Sequence, residues 1–151
     1  MSSNAARRSH SKQVVLIASR FHPAIARALV RGATTVLSHA GVRPSRIRLL
    51  WAPGAFELPV IAARVARRRP QAIITLGALI RGDTPQYEVL AHAAAQGLVR
   101  VAVETGIPVT FGVIVATTLA EAKARAGGSM GNRGAEAAAA ALEVLKLLKS
   151  V

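Results

Sequence analysis

Glu57 is the first of only seven Asp and Glu residues in a 151-residue chain. It stands in Gly54-Ala55-Phe56-Glu57-Leu58-Pro59, directly after the apolar run Leu49-Leu50-Trp51. A carboxylate between an aromatic residue and an apolar helix start suits two tasks. It favours the positive amino end of a helix, and its two acceptor oxygens can bind polyol hydroxyls or an amine. Arg81-Gly82-Asp83-Thr84-Pro85 offers other chemistry. Glycine admits close backbone approach, and free N–H groups at a helix start hold an anion; the same residues also make an ordinary strand-to-helix turn. Arg125-Ala126-Gly127-Gly128-Ser129-Met130-Gly131-Asn132-Arg133-Gly134 sets two arginines among four glycines. That segment either presents guanidinium to phosphate or is a flexible loop with solvated charges. It is not a Walker loop, which needs Gly-Lys-Ser/Thr, nor a dinucleotide fingerprint, which follows a first strand. Phe21 and Phe56 fall just past apolar runs, placed to stack on a planar heterocycle or to plug the end of a sheet. His10, His22, His39 and His92 show no metal-ligand spacing.

The elements that must hold these segments alternate in type. Gln13 to Ala18, Ile47 to Trp51, Ala72 to Ile80 and Val109 to Val115 read as strands. The unbroken apolar run from Ala72 predicts a central parallel strand covered on both faces. Helical spacing predicts helices over Pro23 to Ala40, with Gly41 as the stop, and from Leu58 to the arginines before Pro70. A third opens at Thr84-Pro85, with Pro in its first turn. Thr118 and Glu121 fit a capping box for a short helix. Gly127 to Gly134 reads as a loop, and a last helix runs to about Leu148. The alternation predicts a three-layer α/β/α sandwich with a four-stranded parallel sheet, flavodoxin-like in class. In such sheets ligands gather beyond the carboxyl ends of the strands. Ser19 to His22, Pro53 to Glu57, Arg81 to Gln86 and the residues from Ala116 onward all fall there.

Composition bounds the rest. Residues 13–151 suit one domain, preceded by a basic, acid-free tail over 1–12 that reads as disordered. No apolar stretch is long enough to span a membrane. The absence of cysteine removes disulfides and thiol catalysis and fits a cytoplasmic protein. A net charge of +13 permits nonspecific attraction to RNA or other polyanions. Too few aromatics are present for a single-strand stacking platform.

In order along the chain, five segments closely resemble the lumazine synthase family. They are Ser19-Arg20-Phe21, Gly54 to Pro59 with Pro53, Gly77 to Pro85, Phe111-Gly112-Val113, and Arg125-Ala126-Gly127 with Gly131-Asn132-Arg133-Gly134. The resemblance implies condensation of 5-amino-6-ribitylaminouracil with 3,4-dihydroxy-2-butanone 4-phosphate, the penultimate step of riboflavin biosynthesis, with no metal or organic cofactor. It implies that Phe21 stacks on the pyrimidine and that Leu79 and Ile80 line its pocket. Ala55, Phe56 and Glu57 would hold the ribityl chain. Gly82, Asp83 and Thr84 would receive the phosphate, with Arg125 as countercharge. Phe111 would serve a neighbouring subunit's pocket in a pentamer, or in a decamer or icosahedral shell built from pentamers.

Two positions depart from the family pattern. Gln86 stands where His usually follows Thr-Pro, so an amide that only hydrogen-bonds replaces a group that moves protons. His92 is no substitute, lying about 9 Å further along the helix and on another face. Ser129 stands where Lys is common. These changes raise two expectations: a slow enzyme, or a weakly active relative that forms shells or binds ligands.

Overall fold

In the computed structural model, residues 12–151 and Ala5 are described. The tail expected over 1–12 therefore lies, apart from Ala5 and Lys12, outside the described residues. Four strands form one parallel sheet: β1 (Val14–Ser19), β2 (Ile47–Ala52), β3 (Ala72–Ile80) and β4 (Val109–Ala116). Their order is β2-β1-β3-β4. Helices α1 (Pro23–His39), α2 (Leu58–Ala66), α3 (Gln86–Thr105), α4 (Leu119–Ala124) and α5 (Arg133–Leu148) connect and cover it.

Strand alternation divides the core in two. Leu16, Ala18, Ile74 and Leu76 pack beneath α1 and α5 with Leu29, Ala33 and Ala138. Val15, Ile17, Ile73 and Val113 pack beneath α2 and α3 with Leu58, Ala62 and Leu98. The sandwich is therefore three-layered, as the alternation predicts, and β3 is buried along nearly its whole length. Mostly aliphatic side chains fill it, which lets the helices lie close to the sheet.

Boundaries shift where backbone chemistry overrides periodicity. The third helix begins at Gln86, with Pro85 one position outside at the N-cap rather than in the first turn. A residue before proline avoids helical geometry, so Thr84 stays out and Gln86 becomes the first helical residue. The glycine-rich segment is not an open loop. Ala126–Gly128 (β5) and Gly131–Asn132 (β6) pair as a small antiparallel hairpin, and α5 starts at Arg133. The arginine cluster after α2 serves a neighbouring element. Arg69, at φ 55°, donates from Nη1 to the Thr105 carbonyl at 2.8 Å, on the last residue of α3. A guanidinium there satisfies a carbonyl and suits the negative helix end.

The capping box at α4 is half formed. Thr118 Oγ1 accepts from Glu121 N at 3.1 Å. The Glu121 carboxylate instead reaches one residue further back, accepting from Thr117 N at 2.9 Å and Thr117 Oγ1 at 2.8 Å. These bonds, the backbone one first, hold its pKa below the ordinary 4.5. A carboxyl lowered in the folded state stabilises above its unfolded value and loses that contribution as pH falls through the folded one. The melting temperature of Glu121→Gln should therefore lie below that of the parent at neutral pH. Thermal melts taken downward from pH 4.5 should show the gap closing; a gap that stays constant to acid pH would refute the assignment.

Candidate active site

The carboxyl ends of β1 and β3 lie side by side at the centre of the sheet, and a cleft opens above them. Its walls include Phe21, Leu79, Ile80, Gly82, Thr84 and Gln86, around a volume of about 220 Å³. Each comes from a different local device. Phe21 follows β1, where Arg20 N donates to Ala52 O at 2.8 Å and so continues the sheet by one bond. Leu79 and Ile80 are the last residues of β3. Arg81 N then bonds Ala116 O at 2.9 Å, which carries the chain over the edge into the Gly82–Thr84 turn. Gln86 enters as the first residue of α3.

Tyr87 and Leu90 complete the wall. Periodicity places both on the buried face of a helix, and both do pack against the α3-side core. Their second role follows from α3 starting beside the cleft, which periodicity does not reveal. Tyr87 Oη donates to Glu88 Oε1 at 3.1 Å, and desolvation, then this bond, raise the phenol above its ordinary value. Near neutral pH the wall therefore offers hydrogen bonds and stacking surface, with no group ready to exchange protons.

The remaining expected residues lie around the cleft or away from it. Asp83 is exposed on the Gly82–Thr84 turn and does not line the wall. Ala55, Phe56 and Glu57 form a 3-10 turn just past β2, whose end is level with Ser19 of β1. Ala55 is buried, Phe56 is exposed and Glu57 is half-buried. Glu57 occupies the N-cap position of α2, but its side chain makes no capping hydrogen bond. Its acceptor oxygens thus do not serve the helix start as a side-chain cap.

Arg125 stands between α4 and the hairpin, where its Nη1 donates to Glu121 O at 3.2 Å. Arg133 N donates to Arg125 O at 2.9 Å, so both loop arginines rise from one backbone joint. Sequence reading counted Arg133 with Arg125 as a possible source of guanidinium for phosphate, and the hairpin pairing is what makes the two neighbours. Phe111 is the third residue of edge strand β4 and pairs with Thr75 of β3. It lies five residues before the end of β4, or about 16 Å by strand rise, and so cannot reach its own chain's cleft.

A larger groove, of about 360 Å³, runs between β2 and α2. Its floor is aliphatic and its charged residues are Arg48, Arg64 and Arg68. It lacks an aromatic face and the turn at the end of β3, so the smaller cleft is the better candidate for chemistry. Among the described residues no group of three His, Cys, Asp or Glu could hold a metal ion. No helix among them is long and apolar enough to cross a membrane.

Comparison with known proteins converges on one family. The family model described as 6,7-dimethyl-8-ribityllumazine synthase matches residues 11–149. The chain is similar to the protein of that name from Gemmatimonas aurantiaca, 44% identical over 141 residues, covering 93% of this chain and 86% of the relative. It is similar to that of Stenotrophomonas maltophilia strain K279a, 44% identical over 146 residues, covering 96% and 94%. A Thermus thermophilus protein of the same name is 39% identical over 140 residues, covering 92% and 89%. The nucleic-acid reading of the +13 charge gains no support from these comparisons.

Proposed function

The chain belongs to the 6,7-dimethyl-8-ribityllumazine synthase family, and from that premise we propose that residues 13–151 are its catalytic domain. The protein is a transferase of riboflavin biosynthesis. It condenses 5-amino-6-ribitylaminouracil with 3,4-dihydroxy-2-butanone 4-phosphate to 6,7-dimethyl-8-ribityllumazine. The observation that carries the site assignment is the convergence of Phe21, Leu79, Ile80, Gly82, Thr84 and Gln86 on one cleft.

The chemistry asks chiefly for proximity and proton movement. The 5-amino group attacks the ketone, and loss of water gives an imine. Loss of the C3 proton expels phosphate from C4, the resulting enol tautomerises to a new ketone at C3, and the ribitylamino nitrogen closes the ring on that carbonyl with departure of a second water. In this reading Phe21 stacks on the pyrimidine between Leu79 and Ile80. Glu57, unused as a cap, accepts hydrogen bonds from ribityl hydroxyls beside Ala55 and Phe56. The Gly82-Asp83-Thr84 turn offers N–H and hydroxyl groups to the phosphate, and Arg125 supplies opposite charge. Gln86 orients substrate by hydrogen bonding and leaves proton transfer to water, phosphate or the substrate itself.

The two open sheet edges support assembly. Phe111, Val115 and Leu119 are exposed at the β4 side, while Leu49 and Trp51 are exposed on β2. Two different apolar edges join head to tail, and such contacts close into rings. We place the protein in a homo-pentamer, or a larger assembly of pentamers, in which Phe111 reaches the next subunit's cleft. Repulsion between chains of +13 charge makes the assembly sensitive to salt and anions. We also place it in the cytoplasm; recovery of the native protein in another cell fraction would overturn that.

Three measurements test this reading. Lumazine formation should exceed the uncatalysed condensation, and Gln86→His should raise kcat by about tenfold or more and add a titration near pH ~6.5. A parent at the uncatalysed rate would overturn the reaction, whereas an unchanged rate in the variant would remove Gln86 as the slow point. Glu57→Gln should raise KM for the ribitylaminouracil and Arg125→Ala that for the butanone phosphate, each by about tenfold. Loss of thermal stability without these separate effects would argue against both roles. Light scattering should give at least five times the chain mass, and an active monomer would rule out the shared cleft.

A further inference from the structure

Phe21 is 64% exposed, yet its backbone is fixed on both sides. Its N–H donates to the Oγ of the wholly buried Ser19 at 3.3 Å. After it, His22 adopts φ 58° and ψ 68° in the left-handed region, an uncommon place for a residue with a side chain. That conformation turns the chain into α1, and the His22 carbonyl accepts the bond from Ala26 N at 3.0 Å. Glycine or asparagine would meet this backbone need at least as well. What histidine adds is a ring. Its centroid lies 5.0 Å from that of Phe21, with the planes at 90°, the edge-to-face arrangement aromatic pairs favour.

We propose that His22 is a positioning residue that acts through Phe21. The imidazole braces the phenyl ring in the attitude in which it forms the cleft wall, so the stacking surface exists before substrate arrives. The proposal rests on the condensation reading above. Within its own chain, packing elsewhere gives Phe21 little restraint, since most of its surface is uncovered there. Without the brace, binding would have to order the ring, and ordering a side chain weakens affinity. The deficit falls on the substrate that stacks on Phe21 and spares the one bound through phosphate.

Two substitutions separate the ring from the backbone. His22→Asn keeps a residue that tolerates the left-handed conformation but removes the ring. We expect its melting temperature to stay near that of the parent, with KM for the ribitylaminouracil up about threefold to tenfold. KM for the butanone phosphate should hold. His22→Phe keeps an edge for Phe21 but forces a bulky residue to φ 58°. It should melt several degrees lower, about what a strained residue costs, while keeping the parent's KM. Stability would then follow the backbone and affinity the ring. Parent-like KM in an active His22→Asn variant overturns the role of His22 alone. So does a rise in KM in both variants that tracks their loss of stability. A parent that neither binds the ribitylaminouracil nor forms lumazine overturns the condensation reading, and this proposal with it.

Discussion

Ser19 is wholly buried at the end of β1, and the space it occupies exists because residue 77 of β3 is glycine. A Cβ at position 77 would stand 2.9 Å from the Cβ of Ser19. That close approach lets the two central strands end side by side, with the Ser19 hydroxyl free to hold Phe21 N. A larger residue at 77 would part the strands or turn Ser19 away, and Phe21 would lose its anchor. The cleft then follows, because Leu79 and Ile80 continue β3 beyond that contact.

A second close approach ties the arginine hairpin to the same part of the molecule. A Cβ on Gly134 would fall 2.1 Å from the Leu29 carbonyl oxygen. One on Gly32 would fall 2.4 Å from the Asn132 side chain. Asn132 cannot easily move aside. Its Oδ1 accepts from Ala135 N at 3.0 Å and caps α5, while its Nδ2 donates to Ala28 O at 3.1 Å. Glycine on both helices thus allows contact at backbone distance, and one amide side chain locks it. Helix α1 begins just beyond His22 and carries Ala28 and Leu29, so it links the aromatic wall to the joint from which Arg125 and Arg133 rise.

How much of this could be read from residues alone depended on range. The limits of β3 were legible because a strand covered on both faces is a continuous apolar run. The stop of α1 was legible because Gly41, at φ 85°, has the conformation that glycine supplies at a helix end. The hairpin was not, since its short glycine-rich strands carry no apolar alternation, and Asn132 is tied to Ala28, 104 positions away, by a bond that no local pattern shows. Tyr87 was placed in the core correctly but its share in the cleft was hidden, because the start of α3 was set by Thr84-Pro85 rather than by periodicity. For Glu57 the opposite held: its place at the head of α2 was clear, and only the side-chain geometry separates it from a cap. The proposed roles of Phe111, Arg125 and Glu57 came from family likeness, and in one chain they do not meet around a single cavity.

Trp51 is the sole tryptophan in the sequence, and it sits 40% exposed on the open edge of the sheet. The protein's indole fluorescence therefore has one source, at one edge strand. Whatever covers that strand dries the indole and shifts its emission to the blue; whatever uncovers it restores the red. The spectrum consequently reads the state of a single border of the molecule, while the core on either side of β3 stays dark.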